Sequence, residues 1–385
     1  MQQVRILHVT EYAVLGGEQY HILTLLRKWK EPRFQMTVCS NPKGPFVHEV
    51  KALGVPHVPF IINGKYDITS LLKLMNIFKS GRYHIVHLHG SRVGLYGRIA
   101  AKLASIPIIV WTMHAWQTDT LLGLRRIQAP LYLLIERILS YFCDKIIAES
   151  DTLQRRAIDK EHIDPNKIVR IYAAIDLNEW KSTVDVKRKK RELGIDSSVF
   201  IIGTVGRLVV QKGTIYLLQA ARTILQKFPN TVFVVVGDGP LRKMLEQSAS
   251  DMGIGNKVVF TGYRKDVPDI MRCINIFVLP TLFEGFGLVF AEAMIAGRPI
   301  VATTVDPIPE VVRGYQAAIL VPPRNHAAIA QALLTIMRSY GSYEEWGKGG
   351  KQIVKERYSS ERMVDEVAKL YEDLISRKIP HLAAV

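Results

Sequence analysis

Cysteine is scarce. Cys39, Cys143 and Cys273 are isolated and odd in number, which suits neither a disulfide framework nor a cysteine-built zinc cluster and fits a reducing cytoplasm. No apolar run approaches the roughly 20 residues needed to span a bilayer. The opening stretch MQQVRILHVTEYAVLGGE is broken by Arg5 and Glu11 and has no signal-peptide core, so a cytoplasmic protein is expected, working at most at the inner face of a membrane. A full G-x-G-x-x-G fingerprint is missing, which argues against a dinucleotide dehydrogenase. No Asp-x-Asp triplet occurs either, so a metal-clamped diphosphate is not suggested and no metal is expected. Low-complexity segments are absent as well.

Hydrophobic residues supply 48% of the chain and charged residues 22%, the balance of a folded globular protein. At 385 residues it exceeds what one core usually organises, so two domains are the starting expectation. The formal charge of +16 is no basic tail: half of it falls in residues 1–180. Charge alone leaves phosphorylated ligands, an anionic membrane surface and nucleic acid open as partners. Nucleic acid would need a basic stripe with interleaved aromatics or a known module, and neither is found.

The first half alternates short β-branched runs (4–9, 35–39, 84–89, 108–111, 145–148, 169–171) with stretches of helical period (20–29, 68–79, 95–103). The charged run KSTVDVKRKKR at 181–191 reads as a linker into a short helix, and the pattern restarts with strands at 200–205, 232–236, 258–260, 276–279 and 300–302. Strands alternating with helices predict parallel sheets with right-handed crossovers. The fold class expected is therefore α/β, with two Rossmann-like doubly wound domains, 1–180 and 181–359, facing a cleft. A last helix within about 360–385 is expected to return to the first domain. In such sheets ligands bind beyond the carboxyl ends of the strands, and the informative motifs fall there.

Strand 4–9 leads to Gly16 and Gly17 at a helix start, where backbone can approach an anion, although a plain turn reads equally well. After strand 200–205 come Arg207 and Lys212, a planar fork and a point charge five positions apart that could straddle a diphosphate. The turn Gly237-Asp238-Gly239-Pro240 is as easily structural as ligand-facing. Most informative is PTLFEGFGLVFAEAMIAGRPIVAT. Here Glu284 precedes a short helix starting near Leu288, and Glu292 lies a little over two turns along it. Their carboxylates could accept hydrogen bonds from the hydroxyls of two sugars. In the first domain His114 ends a strand, while His87 and His89 share a strand face, and without a nearby carboxylate they make a weak metal site.

At these residues the chain resembles the retaining glycosyltransferases of family 4, which have the GT-B fold. The likeness rests on GGE, WTMH, DKIIAES, VGRLVVQKG, VVVGDGP, FTGYRKDV and the Glu284–Glu292 pair with seven residues between, an E-x7-E signature. The resemblance implies that Arg207 and Lys212 bind the diphosphate of a UDP- or GDP-linked sugar and that Glu292 binds its ribose. Glu284 and the backbone of Phe286, Gly287 and Leu288 would bind the donor sugar. His114 would contact that sugar near the reacting centre, and Gly16 and Gly17 would approach the distal phosphate. The catalytic residues implied are His114 and Glu284, with no protein nucleophile. Two departures stand out: Ala173-Ala174 where the family has Asn-Gly, and Asp306-Pro307-Ile308 where it often has Gly-Gly. The second lies by the donor pocket and bears on which sugar is accepted.

The expected partners are a nucleotide sugar and a lipid-linked or cell-envelope glycan acceptor, with peripheral contact to an anionic membrane. Leu131, Leu134, Ile135, Ile138, Leu139 and Phe142 repeat at helical spacing downstream of Arg125 and Arg126. Such a stripe can rest on lipid, but ordinary packing produces it too, and a core-facing helix is the preferred reading. Two rival functions remain: a nucleotide-sugar epimerase of the same architecture, and a catalytically silent nucleotide-sugar-binding protein.

Overall fold

The computed structural model describes residues 3–63, 67–114, 129–181 and 183–383. The chain divides into two compact units, Met1–Ala174 with Ser360–Val385, and Ile175–Ser359.

The first unit is built on β1 (Val4–Val9), β2 (Phe34–Ser40), β3 (His57–Pro59), β4 (Ile85–His89), β5 (Ile108–Met113), β6 (Lys145–Ala148) and β7 (Ile168–Arg170). All pairings are parallel, in the order β3-β2-β1-β4-β5-β6-β7. β4 and β5 are buried along their whole length. Helices cover both faces, so these strands read as continuous apolar runs and not as alternating ones. The helix Ser360–Lys378 lays Met363, Val367, Tyr371 and Ile375 against Val4, Ile6 and Ile108 of this sheet. Tyr371 also reaches the buried His87 at 2.5 Å, and the other ring nitrogen of His87 meets Thr112 at 2.6 Å. His87 thus anchors the final helix to the sheet.

The second unit carries β8 (Phe200–Val205), β9 (Thr231–Val236), β10 (Val258–Gly262), β11 (Ile276–Leu279), β12 (Ile300–Thr303) and β13 (Ala318–Val321). It is again wholly parallel, in the order β10-β9-β8-β11-β12-β13. The run 181–191 is less of a linker than its charge suggests. It contributes the helix Val186–Glu192, in which Lys190 folds its stem inward and donates to the carbonyls of Ser197 (3.1 Å) and Val199 (2.9 Å). The two strands that the pattern passes over, β3 and β13, are edge strands. β3 has three residues ending in a proline, too short to show any alternation.

The order reverses between β1 and β4 in one sheet and between β8 and β11 in the other. Neighbouring crossovers leave on opposite faces at such a point, and a crevice opens beyond the strand ends.

One buried ion pair ties the first unit together. Arg98 on the helix Ser91–Leu103 meets Glu136 on the helix Ala129–Ser140 at 2.7 Å, donates to the Gly94 carbonyl and stacks on Trp111. Removing one partner strands the other charge in the interior. Arg98→Ala is expected to cost about 3–5 kcal/mol in urea unfolding. An effect under about 1 kcal/mol, the scale of an exposed pair, would contradict the buried-pair reading.

Candidate functional site

In the second unit the site grows from the two central strands. β8 ends at Gly206, whose loop carries Arg207 and a tight 3-10 turn, Val210–Lys212, closed by Gly213 in the left-handed region. Glycine is required there, because a Cβ would stand 2.0 Å from the Pro280 carbonyl beyond β11. The loop after β11 is stitched to this turn. Leu282 N–H donates to the Gln211 carbonyl at 2.7 Å, the Gln211 amide to the Phe283 carbonyl at 3.0 Å, and the Thr281 hydroxyl lies 3.0 Å from the Gln211 oxygen.

This stitching brings together two residues 72 apart in sequence. The Lys212 ammonium lies 2.7 Å and 3.0 Å from the two carboxylate oxygens of Glu284, with both side chains largely buried. Arg207 differs: its side chain is exposed and makes no hydrogen bond or ion pair among the described residues. The turn Gly237–Pro240 proves to be a brace. Leu208 donates to the Asp238 carbonyl, Leu241 donates back to Leu208, and a Cβ on Gly237 would strike the Gly206 carbonyl at 2.1 Å. Gln211 and this brace escaped the sequence reading, because backbone stitching leaves no compositional mark.

Past Glu284, Phe286 is buried against Tyr358, and Gly287 takes φ 84° to start the helix Leu288–Ile295. Phe290 N–H donates to the Gly287 carbonyl, and the N–H groups ahead of it, which have no partner within the helix, can face an anion. Glu292 sits on this apolar helix with no hydrogen bond or ion pair among the described residues. Burial, aided by the like charge of Glu179, pushes its carboxyl up to about 7. Glu179 lies on the turn Leu177–Trp180, just past the departure at Ala173-Ala174, and no motif singled it out.

At the reversal of the first sheet Gly16 and Gly17 open the helix Gly17–Lys28. Gly16 is extended (φ −156°) and Gly17 has open space where a Cβ would go, so neither glycine is demanded by strain. Behind them lies an assembly that the sequence only hinted at. His114 Nε2 stands 3.1 Å from His89 Nδ1, and His89 Nε2 stands 3.1 Å from His8 Nδ1. The Nδ1 atoms of His114 and His21 each lie 3.0 Å from a carboxylate oxygen of Glu149. Both ring nitrogens of His114 are therefore turned into the first unit. Burial drives the His8 ring down to about 3 and also lowers His87 and His89. Burial opposes charge on Glu149 too, but His114 and His21 hold its carboxyl down at about 2. His89 has a carboxylate two contacts away after all. Glu149 is distant in sequence and comes near only because β5 and β6 pair.

The helix Ala129–Ser140 splits its stripe: Leu139 is buried, Ile135 and Phe142 are half-buried, and the other three residues are exposed, so the core-facing reading holds only in part. Glu136, Leu139 and Ser140 point inward, whereas Leu131 (61%), Leu134 (52%) and Ile138 (50%) are exposed, together with Tyr141 just beyond the helix. Arg125 and Arg126 lie outside the described residues. Among the described residues no helix is long and apolar enough to cross a membrane.

Comparison with known proteins bears on the family and the fold. Residues 185–353 match the family described as glycosyl transferases group 1, and residues 15–179 match glycosyltransferase family 4. A UDP-Gal:alpha-D-GlcNAc-diphosphoundecaprenol alpha-1,3-galactosyltransferase of Escherichia coli is 27% identical over 384 residues, covering 98% of both chains. A capsular polysaccharide biosynthesis glycosyltransferase, CapM of Staphylococcus aureus, is 28% identical over 80% of this chain and 82% of its own. Among solved structures, Anabaena HepE in complex with UDP and glucose superposes with a TM-score of 0.85 at 21% identity, over 96% of this chain and 100% of that one. The chain is a glycosyltransferase of family 4 with the GT-B fold.

Proposed function

We propose that this enzyme moves a sugar from a UDP-sugar to a hydroxyl of a lipid-linked envelope glycan, with retention of anomeric configuration. The observation that carries the reading is the convergence of Lys212, Glu284 and a free helix end at the reversal of the second sheet, with Arg207 exposed beside them. Uridine is favoured by HepE, solved with UDP, and by the E. coli relative, whose donor is UDP-Gal. The acceptor follows that relative, whose own acceptor is a diphosphoundecaprenol-linked GlcNAc.

In this reading Arg207 and Lys212 hold the diphosphate. As Lys212 turns to phosphate, the Glu284 carboxylate is released to accept hydroxyls of the donor sugar. Glu292 accepts from the ribose. The first unit contributes His114 near the donor sugar and the Gly16-Gly17 turn at the distal phosphate. The bond between sugar C1 and the diphosphate oxygen breaks, the acceptor oxygen bonds to C1 on the same face, and the acceptor proton leaves on the diphosphate. Fixed cations and helix N–H groups stabilise the departing charge without reorganising, and metal plays no part at the diphosphate. The exposed apolar face of the helix Ala129–Ser140, with Arg137 beside it, supports peripheral contact with an anionic membrane, where a lipid-linked acceptor resides.

UDP is expected to raise the melting temperature of the protein without added metal. Arg207→Ala and Lys212→Ala should each weaken UDP binding roughly ten- to a hundredfold, as loss of a charged hydrogen bond predicts. Full retention of affinity in both variants would refute the donor site.

Glu292 gives the second check. Its folded value near 7 lies above the ordinary 4.5, so its stabilising contribution is full below about 4.5 and is lost as pH rises through about 7. Ribose hydroxyls favour the charged form, so UDP should bind more tightly as pH rises through about 7 and release a proton below it. Titration calorimetry in two buffers of different ionisation enthalpy reads that proton, and Glu292→Gln should abolish it. Binding without proton release would contradict the ribose role.

At low salt the protein should co-sediment with anionic vesicles, and Leu134→Ser with Ile138→Ser should lose that binding while keeping UDP affinity. Absence of binding by the parent protein would overturn the membrane contact.

A further inference from the structure

Six buried ionisable groups crowd the reversal point of the first sheet, and what joins them goes beyond the transfer reaction. His21 comes from the helix Gly17–Lys28, His114 from the end of β5, and Glu149 from the end of β6. One ligand atom from each lies within 4.8 Å of the others. His21 Nδ1 and His114 Nδ1 are each 3.0 Å from a Glu149 oxygen, yet His21 Nδ1, His114 Nδ1 and Glu149 Oε1 have no hydrogen-bond partner among the described residues. The contacts are short, but their geometry is not that of a hydrogen bond. Three buried, unpaired polar atoms facing one another are costly. A single divalent cation would satisfy all three lone pairs.

The surrounding rings supply what such a cation needs. A ligating His usually holds its other ring nitrogen in a hydrogen bond that fixes the tautomer. His114 Nε2 meets His89 Nδ1 at 3.1 Å, and His89 Nε2 meets His8 Nδ1 at 3.1 Å. With each Nε2–H donating to the next Nδ1, the row of rings leaves His114 Nδ1 as the nitrogen that faces Glu149. The neighbouring trio His8, His87 and His89 is geometrically close as well. There, both nitrogens of His87 are engaged by Tyr371 and Thr112, and both nitrogens of His89 by the two histidines. That trio has too few lone pairs to spare and serves as the supporting layer.

We propose that His21, His114 and Glu149 form a divalent transition-metal site, of the two-imidazole, one-carboxylate type that suits zinc. Imidazole with carboxylate selects zinc-like ions over magnesium or calcium, and three protein ligands leave an open fourth position. The His114 side chain keeps about 10% of its surface exposed. The proposal departs from the expectation of no metal, and its site belongs to the unit that does not carry Lys212 and Glu284. A bound ion would also hold the His114 ring in its inward orientation.

The test uses tag-free, full-length protein stripped with a chelator and shown by circular dichroism to remain folded. It is titrated with zinc against a chromophoric competitor, and separately with cobalt. The expected result is one equivalent per chain, with the visible absorption of four- or five-coordinate cobalt. His21→Ala and the near-isosteric Glu149→Gln should each weaken binding at least about tenfold. His57→Gln, in a histidine bonded to Ser40 away from this cluster, should bind as the parent does. Folded parent protein that takes up neither metal stoichiometrically would overturn the proposal and leave plain histidine–carboxylate contacts. Unchanged binding in a folded Glu149→Gln variant would do the same.

Discussion

The short ion pair between Lys212 and Glu284 is the contact on which the account of the donor site rests. Both side chains are mostly withdrawn from water, where an unpaired charge is expensive and a paired one is strongly oriented. The pair exists because β8 and β11 are neighbours at the point where the sheet changes direction. It is held by backbone stitching through Gln211 and by a left-handed glycine that lets the two loops touch. Without a ligand each charge satisfies the other. In the proposed reading a diphosphate competes for the lysine and frees the carboxylate, so that occupancy of one subsite prepares the next.

The same topological rule organises the first unit but fills the space differently. Where the second sheet offers cations and a helix N-terminus, the first buries four histidines and a glutamate and sets His114 beside them. His87 has a structural task, tying the final helix to the sheet through Tyr371. His114, expected to turn toward a sugar, has both nitrogens facing groups of its own unit, His89 and Glu149. A role near the reacting centre then requires either rotation of the ring or a contact made by the backbone.

Much of this was legible in the sequence where the signal is local. β1, β6, β8 and β11 have the bounds their β-branched runs suggest, because strands buried on both faces leave an unbroken apolar mark. Arg207, Lys212 and Glu284 were singled out by their place just after strands, and the structure brings Lys212 and Glu284 into contact. What stayed hidden depends on partners far apart along the chain. Glu149 meets His114 only through strand pairing, Gln211 acts through backbone carbonyls, and Glu179 perturbs Glu292 across more than a hundred residues. The helix Ala129–Ser140 shows the limit of periodicity: a stripe states that a face is apolar, not that it is covered.

The most direct test of the central claim is the anomeric configuration of the product, read by proton NMR after incubation with a UDP-α-hexose and a lipid-diphosphate-linked GlcNAc acceptor. The account predicts a new α-linked disaccharide, formed without inversion. A β-linked product would contradict the same-face transfer. An epimerised donor formed without acceptor would place the chemistry in a different reaction class.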